Sequence, residues 1–300
     1  MQSLKSRVLY HVVKYNLTKL AKLNLPLPEY RLAREAAAQR LFKMPGAIRV
    51  EVGKVGDCAG EWLRPESRAG HGRLLYLHGG AYTGGSCITH RALAARFAVS
   101  SKHPVFNLEY RLAPEHPFPA ALEDATAAYL ALHKENPDVP IAVAGDSAGA
   151  GLALALAISL RDQGLGSPAA LALMSPWTDL ALTNPTHRTK AAVDPYFPTP
   201  ARLQAAASHY AGTTRLDHHL VSPHYGRLHQ LPPTLIHVGD KEALLDDSLS
   251  LARNMQAHGS EVDIKVFPGM WHVWQTLCDR MREADQSVAE LGAFVCTRLK

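Results

Sequence analysis

An apolar run, Ile141-Ala142-Val143-Ala144, passes through Gly145-Asp146-Ser147-Ala148-Gly149 into an Ala/Leu-rich stretch from Leu152 to Leu160 that closes at Gln163-Gly164. The pattern predicts a buried strand, a one-residue turn and a buried helix. Few architectures join a fully apolar strand to a fully apolar helix so tightly. The five residues at the junction read G-x-S-x-G, the nucleophile elbow, in which small flanking residues let strand and helix backbones approach while the serine sits in a strained turn at the helix N-terminus. Such a turn pushes Ser147 Oγ out of the packed interior. A Gly/Ser turn before an ordinary buried helix would carry the same five residues, so the rest of the chain decides between them.

Three hundred residues with 47% hydrophobic content are enough for one large α/β domain spanning 1–300. The net charge of +5 does not point to nucleic acid, because Lys and Arg are interleaved with acids after Glu29. Cys58, Cys87, Cys278 and Cys296 have no C-x-x-C or zinc-ligand spacing, so reduced structural thiols are expected. No run of 18 apolar residues exists to span a membrane. With no secretory leader visible, a cytoplasmic location is expected.

Met1 to Pro28 contains no acid, and Lys5, Arg7, Lys14, Lys19 and Lys22 interleave with Leu4, Val8, Leu9, Val12, Val13, Leu17 and Leu20 at helical spacing. This predicts a basic amphipathic helix that either lies on a membrane surface or covers the domain with its apolar face. The cover is the expectation, and membrane association is not. A second helical stretch, Glu29 to Phe42, follows the break at Pro26-Leu27-Pro28. Alternation from Ile48 to Pro65, interrupted by Gly53 and Gly56, predicts an antiparallel hairpin at a sheet edge.

Leu74 to Leu77 is the first strongly apolar strand and runs into His78-Gly79-Gly80-Ala81-Tyr82. Two glycines after a strand leave backbone N–H groups open to a reacting group, as an oxyanion hole requires. About 65 residues before a nucleophile elbow this pairing gains specificity, since the hole needs donors from a second loop besides the N–H of Ala148.

The next strand, Val105 to Leu108, leads into Tyr110-Arg111-Leu112-Ala113-Pro114-Glu115-His116-Pro117-Phe118-Pro119-Ala120-Ala121-Leu122-Glu123-Asp124. With HGG before it and GDSAG after it, the chain resembles the hormone-sensitive-lipase-like family of α/β-hydrolase esterases. The resemblance continues through Ser175-Pro176-Trp177-Thr178-Asp179-Leu180 and Phe267-Pro268-Gly269-Met270-Trp271-His272 and covers roughly residues 60 to 298. It implies an α/β-hydrolase fold with a mostly parallel sheet, helices on both faces and a helical cap. It also implies short- to medium-chain acyl esters as substrates, no metal or organic cofactor, and a dimer through the sheet edge. By the same resemblance Gly79 and Gly80 are the oxyanion donors, and Ala81 stands where the family often has a third glycine. Arg111, Glu115 and Asp124 are expected as internal partners rather than catalysts.

The acid departs from the family pattern, which commonly has Asp-Pro-Leu-x-Asp-Glu after the seventh strand. Here Gly239-Asp240-Lys241-Glu242-Ala243-Leu244-Leu245-Asp246-Asp247 follows Thr234 to Val238. Matching Leu244 and Asp246 to the shared leucine and aspartate places Glu242 at the acid position. A glutamate can orient an imidazole as an aspartate does if the backbone allows for one extra methylene. Asp240, nearer the strand end, is the rival. Asp246 and Asp247 fit the first turn of the following helix, where acids favour the dipole. Chain order in this fold runs serine, acid, histidine, and only His258 and His272 follow Glu242. His258 precedes Gly259 at a helix C-terminus. His272 follows the strand Val262 to Phe267 on a short loop and is the expected base.

Between Trp177 and Thr234 lies a long insertion with a helical stretch from Pro200 to Tyr210. His209, Asp217, His218, His219 and His224 lack regular ligand spacing, so no metal site is expected. The insertion, about 183–225, and residues 1–45 are expected to form the cap over Ser147. Tyr82, Tyr196, Phe197, Trp271 and Trp274 are the candidate pocket walls. The expected reaction is attack of Ser147 on an ester carbonyl, with His272 as base and Glu242 orienting it. Rival readings are an amidase or lactonase, or a small-molecule receptor on the same fold; retention of His272 argues against the receptor.

Overall fold

In a computed structural model that describes residues 2–66 and 70–300, the chain opens with helices α1 (Leu4–Lys22) and α2 (Leu27–Leu41). An antiparallel hairpin follows, β1 (Ile48–Val55) and β2 (Cys58–Pro65), as the alternating pattern predicts. Strands and helices then alternate through β3 (Arg73–Leu77), α3 (Cys87–Ser101), β4 (Val105–Leu108), α4 (Ala120–Glu135), β5 (Ile141–Asp146), α5 (Ala148–Asp162) and β6 (Leu171–Met174). The insertion holds a single turn α6 (Thr186–Thr189) and α7 (Pro200–Ala211). The chain closes with β7 (Thr234–Gly239), α8 (Leu245–Ala257), β8 (Val262–Phe267) and α9 (Arg282–Arg298).

The strands form one sheet in the order β1-β2-β4-β3-β5-β6-β7-β8. β1 and β2 pair antiparallel, as do β2 and β4; every other neighbour is parallel. Parallel neighbours need crossover helices, and these cover both faces, so the interior strands read as continuous apolar runs rather than alternating ones. One core lies between the sheet and α4 and α5, built on Leu75, Leu77, Val143 and Leu156; the other packs α3 and α9 against Leu74, Tyr76, Ala142 and Ala144. This is an α/β-hydrolase sheet, mostly parallel.

The topology positions the site. After β3 the chain crosses to β4 on one side and then to β5 on the other, so the order reverses at β3 and a crevice opens at the carboxyl ends of β3 and β5. Their register sets Leu77 opposite Gly145. The His78 loop and the Ser147 turn therefore leave the sheet side by side.

The covering face of α1 differs from the expected one. Leu9, Tyr10 and Val13 pack on the core, and Leu17 and Leu20 face the site cavity. Leu4, Val8 and Val12 are instead exposed by 77%, 56% and 46%. Apolar residues occupy more than half of this helix's circumference, and a helix lying on a surface can bury only one stripe. Its first turn is fastened to the far end of the chain. Ser3 donates from both N and Oγ to the Glu283 carboxylate at 2.7 and 3.1 Å, and Gln2 Nε2 donates to Gly269 O at 3.0 Å. Tyr10 meets Trp271 edge to face, with 5.7 Å between centroids.

Candidate active site

Apolar residues at every position of Ile141–Ala144 make β5 a buried strand, and α5 is buried continuously from Ala148 to Leu160. Joining them in one residue forces Ser147 to φ 54 and ψ −121, a region that non-glycine residues avoid. Gly149 explains the small flank, because a Cβ there would collide with Leu77 O of the neighbouring strand. The strained turn turns the serine toward a cavity rather than the core, and Ser147 lines it.

The loop after β8 delivers His272 to that serine. Ser147 Oγ lies 2.8 Å from His272 Nε2, placed to donate to it. On the other side of the ring, His272 Nδ1 donates to Glu242 Oε2 at 3.1 Å. Glu242 is fully buried and its other oxygen, Oε1, accepts from Gly239 N at 2.6 Å and Ser175 Oγ at 2.8 Å. Three donors thus converge on one carboxylate, an arrangement that favours its ionised form against the burial that pushes its pKa up. Asp240 faces elsewhere: its Oδ1 accepts from Gly269 N at 2.7 Å and so braces the loop that carries the histidine. His258 caps its own helix, with Nδ1 donating to Asn254 O at 2.7 Å.

Burial lowers the basicity of His272, but the Glu242 carboxylate more than offsets it, with Asp194 and Asp146 adding to the pull, so its pKa stands above the ordinary histidine value. A base works only when deprotonated, and raising its pKa moves the onset of activity to higher pH. The acid limb of a kcat/KM–pH profile is therefore expected to have its midpoint above about 6.5. A midpoint below that value would show that the carboxylate does not act on the imidazole.

The His78 loop corrects one expected donor. Gly79 N donates to Asp146 Oδ1 at 3.0 Å, behind the serine turn, and Gly79 does not line the cavity. Gly80 and Ala81 do line it, and among the described residues neither N–H donates a hydrogen bond within the protein. Gly80 has φ +132, which only glycine adopts readily, and Ala81 follows with φ 55. The two N–H groups that border the cavity thus lie one residue further along than the expected pair. His78 holds the loop from behind. Burial and the neighbouring His90 drive its pKa down to about 3, so it is neutral, and Nδ1 donates to Gly79 O at 2.9 Å. Its ring stacks on Tyr110 at 4.2 Å, and Tyr110 OH donates to His78 O at 2.6 Å.

Of the five expected walls, two line the cavity. Tyr196 and Phe197 set their rings 5.7 and 4.9 Å from the His272 imidazole. The other three belong to the core. Tyr82 stacks on Tyr210 with 3.6 Å between centroids, Trp271 lies under α1, and Trp274 packs on Phe267 at 5.0 Å. Large aromatic rings bury well on either side of a loop, so their identity does not report which side they take. The cavity measures about 530 Å³, and its walls come from α1, α2, the His78 loop, the insertion and the His272 loop.

Three supporting residues carried no clear signal in the sequence. Ser175, already noted, donates to Glu242 as described and accepts from Val273 N at 3.3 Å, tying the Glu242 and His272 loops together. Asp194 is buried and accepts from Ala243 N at 2.8 Å with one oxygen and from Tyr196 N at 2.8 Å with the other, linking the acid loop to the cavity wall. Asp247 does more than complement a helix dipole. It accepts from Thr178 N and Asp179 N at 2.9 Å and from Asn184 Nδ2 at 2.9 Å, and its Oδ1 lies 2.7 Å from His187 Nε2. A short-range motif does not show the Asp247 hub, since its donors on Thr178, Asp179 and Asn184 lie 63 to 69 residues away.

As expected, Arg111 pairs with Asp124 and Glu123, while Glu115 pairs with Arg31 of α2. Among the described residues no cluster of His, Cys, Asp or Glu could hold a metal ion, and no helix is long and apolar enough to cross a membrane. The four cysteines are unpaired, and burial pushes the Cys278 thiol up to about 12.

Comparison with known proteins accords with this geometry. The family described as the alpha/beta hydrolase fold matches residues 74–276. An acetyl-hydrolase of Streptomyces hygroscopicus is 41% identical over 261 residues, covering 87% of each chain. An esterase of Acinetobacter venetianus is 35% identical over 257 residues, covering 85% of this chain and 84% of its own. The crystal structure of a hormone-sensitive lipase from a metagenome library superposes with a TM-score of 0.94 at 36% identity, over 100% of both chains.

Proposed function

Because the chain belongs to the alpha/beta hydrolase fold family, within its hormone-sensitive-lipase-like esterases, we propose that it is a serine carboxylesterase for short- to medium-chain acyl esters. The observation that carries this reading is the imidazole of His272, bonded to Ser147 Oγ on one side and Glu242 on the other. The cap that roofs it is formed by α1, α2 and the insertion around α7.

Ser147 Oγ attacks the ester carbonyl as His272 Nε2 takes its proton. The carbonyl oxygen becomes an oxyanion held by the N–H groups of Gly80, Ala81 and Ala148, each lost donor costing on the order of 10²-fold in turnover. His272 then gives its proton to the leaving alcohol, and the acyl group stays on Ser147. Water, activated by the same imidazole, cleaves that acyl-enzyme and restores the serine. Glu242 keeps Nδ1 protonated and steadies the imidazolium. Every proton moves through His272, and the residues present complete the cycle.

A cavity of about 530 Å³ suits a small ester. Its roof, made of Leu17, Leu20 and Leu25, offers apolar contact to a few methylenes. The similarity to an acetyl-hydrolase supports the short end of the range. Hydrolysis of p-nitrophenyl esters is expected to peak at acyl chains of about two to six carbons and to fall for chains longer than about ten, as the pocket fills. A maximum at the long chains would overturn the size assignment. Four unpaired thiols support a reducing, cytoplasmic setting.

A further inference from the structure

The cavity carries charge that this chemistry does not use. Arg34 of α2 and Arg202 of α7 both line it together with Ser147. Several arginines elsewhere in the fold are answered by carboxylates: Arg31 by Glu115, Arg91 by Glu61, Arg96 by Asp279, Arg111 by Asp124. Among the described residues neither Arg34 nor Arg202 forms an ion pair, and Arg202 Nη1 donates to Tyr196 O at 3.3 Å. The Tyr30 phenol lines the same cavity. Burial raises the Tyr30 pKa, and the two cations more than offset it, leaving it below the ordinary tyrosine value.

Asp146 is the one acidic residue in the lining, and its carboxylate is committed inward. Oδ1 accepts from Tyr76 OH at 2.7 Å and Gly79 N at 3.0 Å, while Oδ2 faces His90 Nε2 at 3.3 Å. The cavity thus presents two permanent positive charges and no free negative one. Arginine stems can serve merely to cover apolar surface. That use does not require two guanidiniums without a carboxylate partner, Arg34 half-buried and Arg202 exposed, to gather at the cavity that holds Ser147, where their like charges repel. A bound carboxylate removes that repulsion and matches the planar fork of each guanidinium.

We propose that the ester cleaved at Ser147 carries a carboxylate away from the scissile bond, and that Arg34 and Arg202 bind it. The substrate class is a half-ester of a dicarboxylic acid or an acyl ester of a hydroxy acid. This inference rests on the esterase reading above.

Matched pairs test it. On the acyl side, mono-p-nitrophenyl adipate is compared with p-nitrophenyl hexanoate; on the alcohol side, 4-acetoxybenzoate is compared with its methyl ester. The readout is the ratio of kcat/KM within each pair, for the wild type, Arg34→Gln and Arg202→Gln, which cancels any common loss of folded enzyme. In at least one pair the wild-type ratio is expected to exceed that of either variant by about tenfold or more, and to fall as salt is raised. The pair that responds tells which half of the ester bears the charge. Equal ratios in wild type and variants for both pairs would overturn the inference. Should both variants fail to fold, the wild type alone decides. Adipate, but not hexane-1,6-diol, is expected to compete with p-nitrophenyl butyrate in a salt-sensitive way, and equal or absent competition would overturn the proposal. A folded wild type that hydrolyses none of these esters would instead remove the esterase reading.

Discussion

Ser147→Ala is expected to lower kcat for every ester by about 10⁵- to 10⁶-fold, leaving the residual acceleration that binding and the oxyanion donors supply on their own. The size of the loss follows from the geometry. Ser147 Oγ is the hydroxyl that meets the imidazole, at 2.8 Å from Nε2. Thr83 and Thr276 also border the cavity, but among the described residues neither bonds to His272. Alanine keeps the Cβ and the strained turn, so the thermal melt is expected to stay close to that of the wild type. Single-turnover hydrolysis of p-nitrophenyl acetate by the purified variant is the measurement. A loss of less than about tenfold would take Ser147 out of the chemistry.

Glu242→Gln ranks second, with an expected loss in kcat on the order of 10⁴-fold. Oε1 is pinned by two donors, Gly239 N–H and Ser175 O–H. A glutamine must leave its oxygen at that position, which turns its NH2 toward His272 Nδ1. Two donors then face each other unless the imidazole moves its proton to Nε2, and in that tautomer it cannot accept from Ser147. Asp240→Asn is the contrast. An asparagine oxygen can still accept from Gly269 N, so that variant is expected to remain within about tenfold of the wild type. Steady-state kinetics of both variants on one ester decide between the acids. A greater loss from Asp240→Asn would move the acid role two residues back.

The legible parts of this molecule were those set by local pattern. Apolar runs marked β3, β4 and β5 as buried strands, and the Gly-flanked serine marked a place where a strand turns into a helix without a loop. Chain order narrowed the candidate base to two histidines, and of these it is His272 that meets Ser147, while His258 bonds its own helix. Direction was harder to read. Whether Gly79 or Ala81 offers its N–H to the cavity depends on how far the chain has rotated by Gly80, at φ +132, and the letters H-G-G-A do not encode that angle. Likewise Trp271 and Phe197 are both aromatic residues near the site, yet one supports α1 and the other touches the imidazole. Long-range hubs such as Asp247 were illegible for a different reason: their meaning lies in donors that only the folded chain brings close.

The fastening of α1 also bears on the order of events during synthesis. Its partners Gly269 and Glu283 lie 267 and 280 residues downstream of Gln2 and Ser3. At about 5–20 residues per second, the first helix waits roughly 15 to 60 seconds on the ribosome before those partners emerge. Throughout that interval Tyr10 also lacks Trp271, its edge-to-face partner. An acid-free segment studded with lysine repels other copies of itself and resists association while it waits. The basic character of this segment thus has a use before the fold is complete: it keeps soluble a helix that is made well before the partners that fasten it.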